Sequence, residues 1–244
     1  MLQVCPASHD EPERRNALLD HLSEKFPEIT SLFYIINSKK NDSLSDQEPV
    51  LYRGEDHLVE VMEGLRFRIG PKSFYQTNTS QALELYSSAR NFADIRGNEI
   101  VYDLYSGTGT IACFVASKAH KVIGIEYIED AVADAKANAE MNGITNTRFI
   151  SGDIKKVLSD QLLSETGLPD VIITDPPRAG MHEDVVRSII KASPAKIVYI
   201  SCNPATQARD ILILSEKYEV KAVQPVDMFP QTHHVENIVL LTLK

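Results

Sequence analysis

The chain has 244 residues, 43% of them hydrophobic, enough for one large domain or for one domain with a smaller appendage. Its net charge of −9 argues against a protein that coats nucleic acid by bulk charge, while leaving room for a local basic patch. Three widely spaced cysteines (Cys5, Cys113, Cys202) make neither a disulfide framework nor a zinc cluster, and no stretch approaches the roughly 18 apolar residues of a membrane span. With a polar, acidic start unlike a signal peptide, the expectation is a reduced, cytoplasmic protein with no metal site.

Leu18, Leu19, Leu22 and Phe26 recur at helical spacing and predict a helix over 13–26. Residues 31–37 form a β-type run, and the polar, turn-rich 38–48 reads as a loop. Residues 50–53, 57–62 and 65–69 read as short strands joined by Gly54 and Glu63-Gly64, a meander. Ala82, Leu85, Ala89 and Phe92 share one face of a predicted helix over 79–93. The expected division is a small α+β subdomain over 1–78 and a larger domain over 79–244.

From Glu99 the rhythm is strict. Strands are predicted over 100–104, 121–126, 147–151, 171–174, 195–200, 220–225 and 237–243. Helices are predicted between most of them, over 110–118, 129–141, 154–165, 182–191 and 204–215. This alternation implies an α/β fold, a parallel sheet with helices on both faces. No helix separates the last two strands, so they read as a hairpin with the final strand antiparallel.

Ligands of such sheets bind beyond the carboxyl ends of the strands. The polar residues that need explaining fall there. Asp103-Leu104-Tyr105-Ser106-Gly107-Thr108-Gly109 follows the first strand, and its glycines allow close approach of a ligand or simply a tight strand–helix turn. Glu126 ends the second strand, where a carboxylate can take the hydroxyls of a ribose. Asp153 follows the third, as a ligand contact or as an N-cap. Asp175-Pro176-Pro177-Arg178 follows the fourth and is stiff enough to set a carboxylate against a flat base. An acidic Asp103 before the loop suits a cationic ligand such as S-adenosylmethionine better than a pyrophosphate.

Cys202 ends the fifth strand, within Ser201-Cys202-Asn203-Pro204. Asn203 can cap a helix that begins at Pro204, which puts the thiol at a helix N-terminus where the dipole favours a thiolate. Two readings stand at this point, a nucleophile or a small buried residue closing a strand. Glu236 begins the last strand. If that strand is antiparallel, Glu236 lies at the same edge, and a thiol with a carboxylate in one cleft suggests covalent catalysis with a general base. His233 and His234 precede it without a metal-ligand pattern around them.

Phe74-Tyr75-Gln76-Thr77-Asn78, the 103–109 loop, Asp175-Pro176-Pro177-Arg178, Ser201-Cys202-Asn203-Pro204 and Met228-Phe229-Pro230 with His234-Val235-Glu236 together resemble the RNA 5-methyluridine methyltransferases. The resemblance implies a Rossmann-like class I S-adenosylmethionine-dependent methyltransferase, with Cys202 as nucleophile and Glu236 as the base. It assigns Gln76, Tyr105, Gly107, Gly109, Glu126, Asp153 and Asp175 to cofactor and uracil contacts, while Thr110 stands where the family often has asparagine. Ser201-Cys202-Asn203-Pro204-Ala205-Thr206 with Ala208-Arg209-Asp210 is more similar to the ribosomal RNA members than to the transfer RNA members. The implied partner is RNA, without a membrane. Phe74, Tyr75 or Phe229 are candidates to stack on bases, and Arg66, Arg68 and Lys72 to meet phosphate. Neither the β-barrel RNA-binding domain nor the four-cysteine iron–sulfur motif of some members is expected here, so the chain reads as the C-terminal portion of such an enzyme. The competing expectations are a non-catalytic fragment that binds S-adenosylmethionine and a dinucleotide oxidoreductase.

Overall fold

The computed structural model describes the backbone of residues 2–4 and, with side chains, residues 11–37 and 47–244. The expectations for Cys5 and for nearly all of the 38–48 loop lie outside the described residues. The chain divides into two compact units, one of Met1–Glu60 with Arg68–Phe74, the other of Val61–Phe67 with Tyr75–Lys244.

In the smaller unit, strand β1 (Leu2–Val4) runs parallel to β2 (Ser31–Ile36), and β3 (Val50–Gly54) pairs antiparallel with β2. Helix α1 (Pro12–Lys25) starts at a proline that suits the first helical position, and its Leu19 is fully buried. The phenol of Tyr52 on β3 donates to the Asp20 carboxylate of α1 at 2.7 Å. The expected meander is corrected here. β3 belongs to the sheet of β2, whereas β4 (Leu58–Met62) and β5 (Leu65–Ile69) form a separate two-stranded hairpin. β1, only three residues long, was below what periodicity can detect.

Beyond the Val61–Phe67 part of the β4–β5 hairpin, the larger unit continues with α2 (Thr79–Ala93). Then follow β6 (Ile100–Leu104), α3 (Thr110–Ala116), β7 (Lys121–Glu126), α4 (Glu129–Met141), β8 (Thr147–Ser151), α5 (Ile154–Val157) and α6 (Asp160–Thr166). The chain closes with β9 (Val171–Thr174), α7 (Glu183–Ala192), β10 (Lys196–Ser201), α8 (Pro204–Leu214), β11 (Tyr218–Val226) and β12 (Glu236–Leu243). The one helix expected over 154–165 is two, because the Ser159 hydroxyl caps α6 by accepting from the Leu162 amide.

Seven strands form one sheet in the order β11-β12-β10-β9-β6-β7-β8. All neighbours pair in parallel except β12, which is antiparallel to both β10 and β11. Alternate residues of the strands feed two cores. Ala82, Leu85 and Ala89 of α2 with Ile111 to Ala116 of α3 and Ala135 of α4 pack on one face. Val185, Val186 and Ile189 of α7 with Leu214 of α8 and Leu162 of α6 pack on the other. Central strands are buried on both sides, which is why β9 reads Val-Ile-Ile-Thr without alternation.

Candidate active site

The carboxyl ends of β6, β7, β8, β9 and β10 share one edge of the sheet, and the antiparallel β12 brings its first residue there. Asp103 lies within β6 with no exposure, and neither carboxylate oxygen completes a hydrogen bond. Burial, then the charges of Asp175 and Glu126, hold its carboxyl well above the usual range, and the Ala112 amide offers only partial compensation.

The loop after β6 turns sharply. Tyr105 has a positive φ of 63°, rare for a residue with a side chain, and its amide bonds to the Ile125 carbonyl at 3.0 Å. The two glycines of the loop do different jobs. A Cβ on Gly107 meets nothing within 4 Å, so this glycine serves its φ of +51° and leaves open space above the turn. A Cβ on Gly109 meets the Ala135 Cβ at 2.8 Å and the Phe149 ring at 2.9 Å, so no side chain fits at this position. Thr110, at the start of α3, is buried and lies 3.2 Å from the Thr108 hydroxyl.

Glu126 accepts from the Gly107 amide at 3.0 Å and from the Ile128 amide at 2.9 Å. These bonds hold the carboxylate in place and leave each oxygen able to accept once more. Asp153 is the N-cap of α5, accepting from the Lys155 amide at 3.1 Å, so the capping reading is the one its geometry displays. Gln76 is buried just ahead of α2, and the Asn78 cap of that helix donates to the Met228 carbonyl at 2.8 Å. That bond ties the Gln76 segment to the loop that leads to Glu236.

The nucleophile candidate sits where β10 meets α8. Asn203 caps α8 by accepting from the Ala205 amide at 3.2 Å, and Pro204 takes the first helical position. Ser201 pairs with Asn237, so Cys202 and Glu236 hang just past the last pair of the β10–β12 ladder. Burial and the neighbouring carboxylates of Glu236 and Asp175 push the Cys202 thiol up, against the opposing pull of Arg178. The expectation of a thiolate favoured by the helix dipole is therefore corrected. Burial first, and then the two carboxyl groups, disfavour the charged form, so the thiol is the favoured form. Glu236 is raised by burial alone. Asp175 is raised to about 8, by burial first and then by Glu236.

Sequence reasoning missed what holds this edge. The segment after β9 is pinned to α8. Asn203 Nδ2 donates to the Arg178 carbonyl at 3.1 Å, and Arg209 Nη2 donates to the carbonyls of Ala179 at 3.0 Å and Met181 at 3.1 Å. Asp210, 1% exposed, accepts from the Met181 amide at 2.8 Å and from the Tyr199 phenol at 2.6 Å. Gln207, also buried, bonds to both β10 and β12. Tyr86 of α2 is buried within range of Asp175, Asp103 and Glu236, and its own phenol is pushed well up. A signal did exist. Gln207, Asp210 and Leu214 occupy the buried face of α8 at spacings of three and four, so two polar residues stand at core positions.

Of the residues considered for RNA, Phe74 is 74% exposed and Phe229 is 36% exposed, while Tyr75 packs beside Phe67 with ring centroids 6.2 Å apart. Arg68 and Lys72 face carboxylates, Asp56 at 2.8 Å and Glu48 at 2.5 Å. His233 and His234 stack with centroids 4.2 Å apart on the exposed turn before β12.

A parallel sheet with one inserted antiparallel strand, and a carboxylate-lined edge over a glycine turn, define the Rossmann-like α/β fold of S-adenosylmethionine-dependent methyltransferases. Within that class, the family model for tRNA (uracil-5-)-methyltransferases matches residues 52–244, and the chain belongs to this family. An uncharacterised RNA methyltransferase of Bacteroides thetaiotaomicron is 58% identical over the whole chain and 54% of its own length. One from Staphylococcus aureus is 40% identical over 95% of the chain and 51% of its own length. The solved structure of the Pyrococcus abyssi tRNA (uracil-54, C5)-methyltransferase, in complex with S-adenosyl-L-homocysteine, superposes with a TM-score of 0.76 at 31% identity. That match covers 90% of this chain and 53% of the archaeal one. The chain thus spans about half the length of the relatives it matches. Among the described residues no helix is long and apolar enough to cross a membrane.

Proposed function

We propose that this chain carries the catalytic centre of an enzyme that methylates carbon-5 of a uridine in RNA, with S-adenosylmethionine as donor and a covalent bond between Cys202 and carbon-6. The single observation that carries the reading is the meeting of Cys202 and Glu236 past the last pair of the β10–β12 ladder, beside Asp175. The cofactor fits the residues present. Asp103 offers a buried carboxylate with no completed hydrogen bond, Gly107 leaves open space, and Glu126 is held with free acceptor capacity. Asp103, Glu126 and the Gly107 turn would hold it, with Gln76, Tyr105 and Asp153 as the further contacts that the family resemblance implies. What it supplies when bound is an electrophilic methyl group on sulfur.

Carbon-5 of uracil is a poor nucleophile until a group adds to carbon-6. Cys202 gives its proton to water, its sulfur bonds to carbon-6, and the electron pair of the ring double bond moves onto carbon-5 and the carbon-4 carbonyl. Asp175, protonated at neutral pH, can donate a hydrogen bond to a carbonyl of the base as that charge grows. After carbon-5 is methylated, the Glu236 carboxylate removes its proton, the double bond re-forms and the sulfur leaves. The uridine must come out of its stack to reach this cleft.

Ribosomal RNA is the first substrate we put forward, from the Ser201–Thr206 and Ala208–Asp210 motifs. A transfer RNA uridine is the second, favoured by the substrate named for the archaeal relative. The test uses total RNA from cells grown with 5-fluorouracil, in which carbon-5 carries no proton to remove. Wild-type protein with S-adenosylmethionine is expected to form a denaturation-resistant RNA adduct that Cys202→Ala lacks, and sizing the bound RNA separates the two substrates. An adduct that survives Cys202→Ala, or none with either protein, refutes the reading.

A further inference from the structure

Helix α8 turns a primary amide into the core. Gln207 is 1% exposed, and a buried amide is costly unless its donors and acceptor are filled. Two strands fill them. Its Nε2 donates to the Tyr199 carbonyl of β10 at 2.9 Å and to the Asn237 carbonyl of β12 at 3.1 Å. Its Oε1 accepts from the Asn237 side-chain amide at 2.7 Å. Tyr199 stands three residues before Cys202, and Asn237 directly follows Glu236.

We infer that Gln207 is a positioning residue that sets the spacing between the nucleophile on β10 and the base on β12. The inference rests on the covalent reading above. Pairing between β10 and β12 reaches only as far as Ser201 and Asn237, and Glu236 is paired on its other side with Val226 of β11, so no ladder bond joins the Cys202 and Glu236 positions directly. Glu236 has a narrow task, to reach a proton on carbon-5 while the sulfur is still bonded to carbon-6. Tethering both strand ends through one rigid helix residue limits their relative slide at the point where the ladder gives out. A displacement of about 1 Å at such a site costs on the order of 100-fold in rate.

The test compares Gln207→Met, which keeps the volume and loses all three bonds, with Gln207→Glu, which retains the acceptor toward Asn237. Alkylation of Cys202 by iodoacetamide, followed by peptide mass spectrometry across pH, needs no RNA. The groups facing the thiol are Glu236 from β12 and Asp175 and Arg178 from the segment after β9. Glu236→Gln is expected to lower the alkylation midpoint, and Gln207→Met to lower it part of the way, as the carboxylate drifts from the thiol. On ordinary RNA from cells lacking the gene, Gln207→Met is expected to turn over roughly 10- to 100-fold more slowly while a covalent RNA adduct accumulates, because proton removal is slowed more than attack. A merely structural role lowers turnover and adduct together and leaves the midpoint alone. A folded Gln207→Met with the wild-type midpoint and turnover overturns the inference. If Glu236→Gln also leaves the midpoint unmoved, the pairing of thiol and carboxylate fails, and the covalent reading falls with it. Where Gln207→Met does not fold, Gln207→Glu carries the same comparison.

Discussion

Replacing Asp175 with asparagine is expected to make the protein more stable, by an amount that depends on pH. The carboxyl lies at about 8 in the folded chain against an ordinary value of 3.8. The folded state therefore holds this proton more tightly than the unfolded state. Stability is fully present below 3.8 and is lost progressively as pH rises to about 8, where the loss levels off. Each pH unit in that window costs about 1.4 kcal/mol. The penalty is about 1.5 kcal/mol at pH 5 and on the order of 4 kcal/mol at pH 7, an upper figure because Asp175 keeps part of its surface open to the cleft. Asparagine has nearly the same shape and no charge to bury. Urea unfolding of both proteins at pH 5, 6, 7 and 8 measures the gap, which is expected to widen steadily up to pH 7. A gap that stays constant across this range refutes a raised Asp175, and with it the hydrogen-bond role given to the acid.

Gly109→Ala is expected to cost about 2–4 kcal/mol in chemical unfolding, since it adds a clash with Ala135 and Phe149 to the strain of φ +76°. Gly107→Ala carries only the backbone strain, about 1–2 kcal/mol, and its larger effect is expected on S-adenosylmethionine affinity by calorimetry. Equal unfolding costs for the two variants would contradict the separate jobs assigned to them. Asp210→Ala strands the Tyr199 phenol, the Met181 amide and the Arg209 guanidinium, and a loss of about 3–5 kcal/mol in urea unfolding is expected. A loss under 1 kcal/mol would show that α8 does not brace the segment after β9.

The alternation of strand and helix was legible because each strand of the large sheet is a short apolar run bounded by turn residues. β6, β7, β8 and β9 run over the predicted residues, and the antiparallel β12 followed from the missing crossover helix. Site residues at strand ends were legible for the same reason, since topology alone carries them to one edge. What spacing cannot convey is who meets whom in three dimensions. The thiol's charge state depends on its burial and on Glu236 and Asp175, which arrive from other strands, and the local capping pattern at α8 conveys neither. Spacing likewise does not convey that Ala135 and Phe149 close over Gly109 and leave no room for a side chain there. Ser159 broke a helix through a local side-chain bond that hydrophobic periodicity does not register.

The position of β12 has a consequence for when the cleft comes into being. This strand is made after β10 and β11 yet lies between them, with Glu236 at its first position. Strands β6 to β10 can pair and pack, with β11 still waiting for its neighbour β12, while the thiol at the end of β10 has no carboxylate from β12 beside it. The cysteine–glutamate pair is thus the product of a late, long-range insertion rather than of local folding. A nascent chain still on the ribosome, surrounded by ribosomal RNA, carries the cysteine without the glutamate that completes the pair.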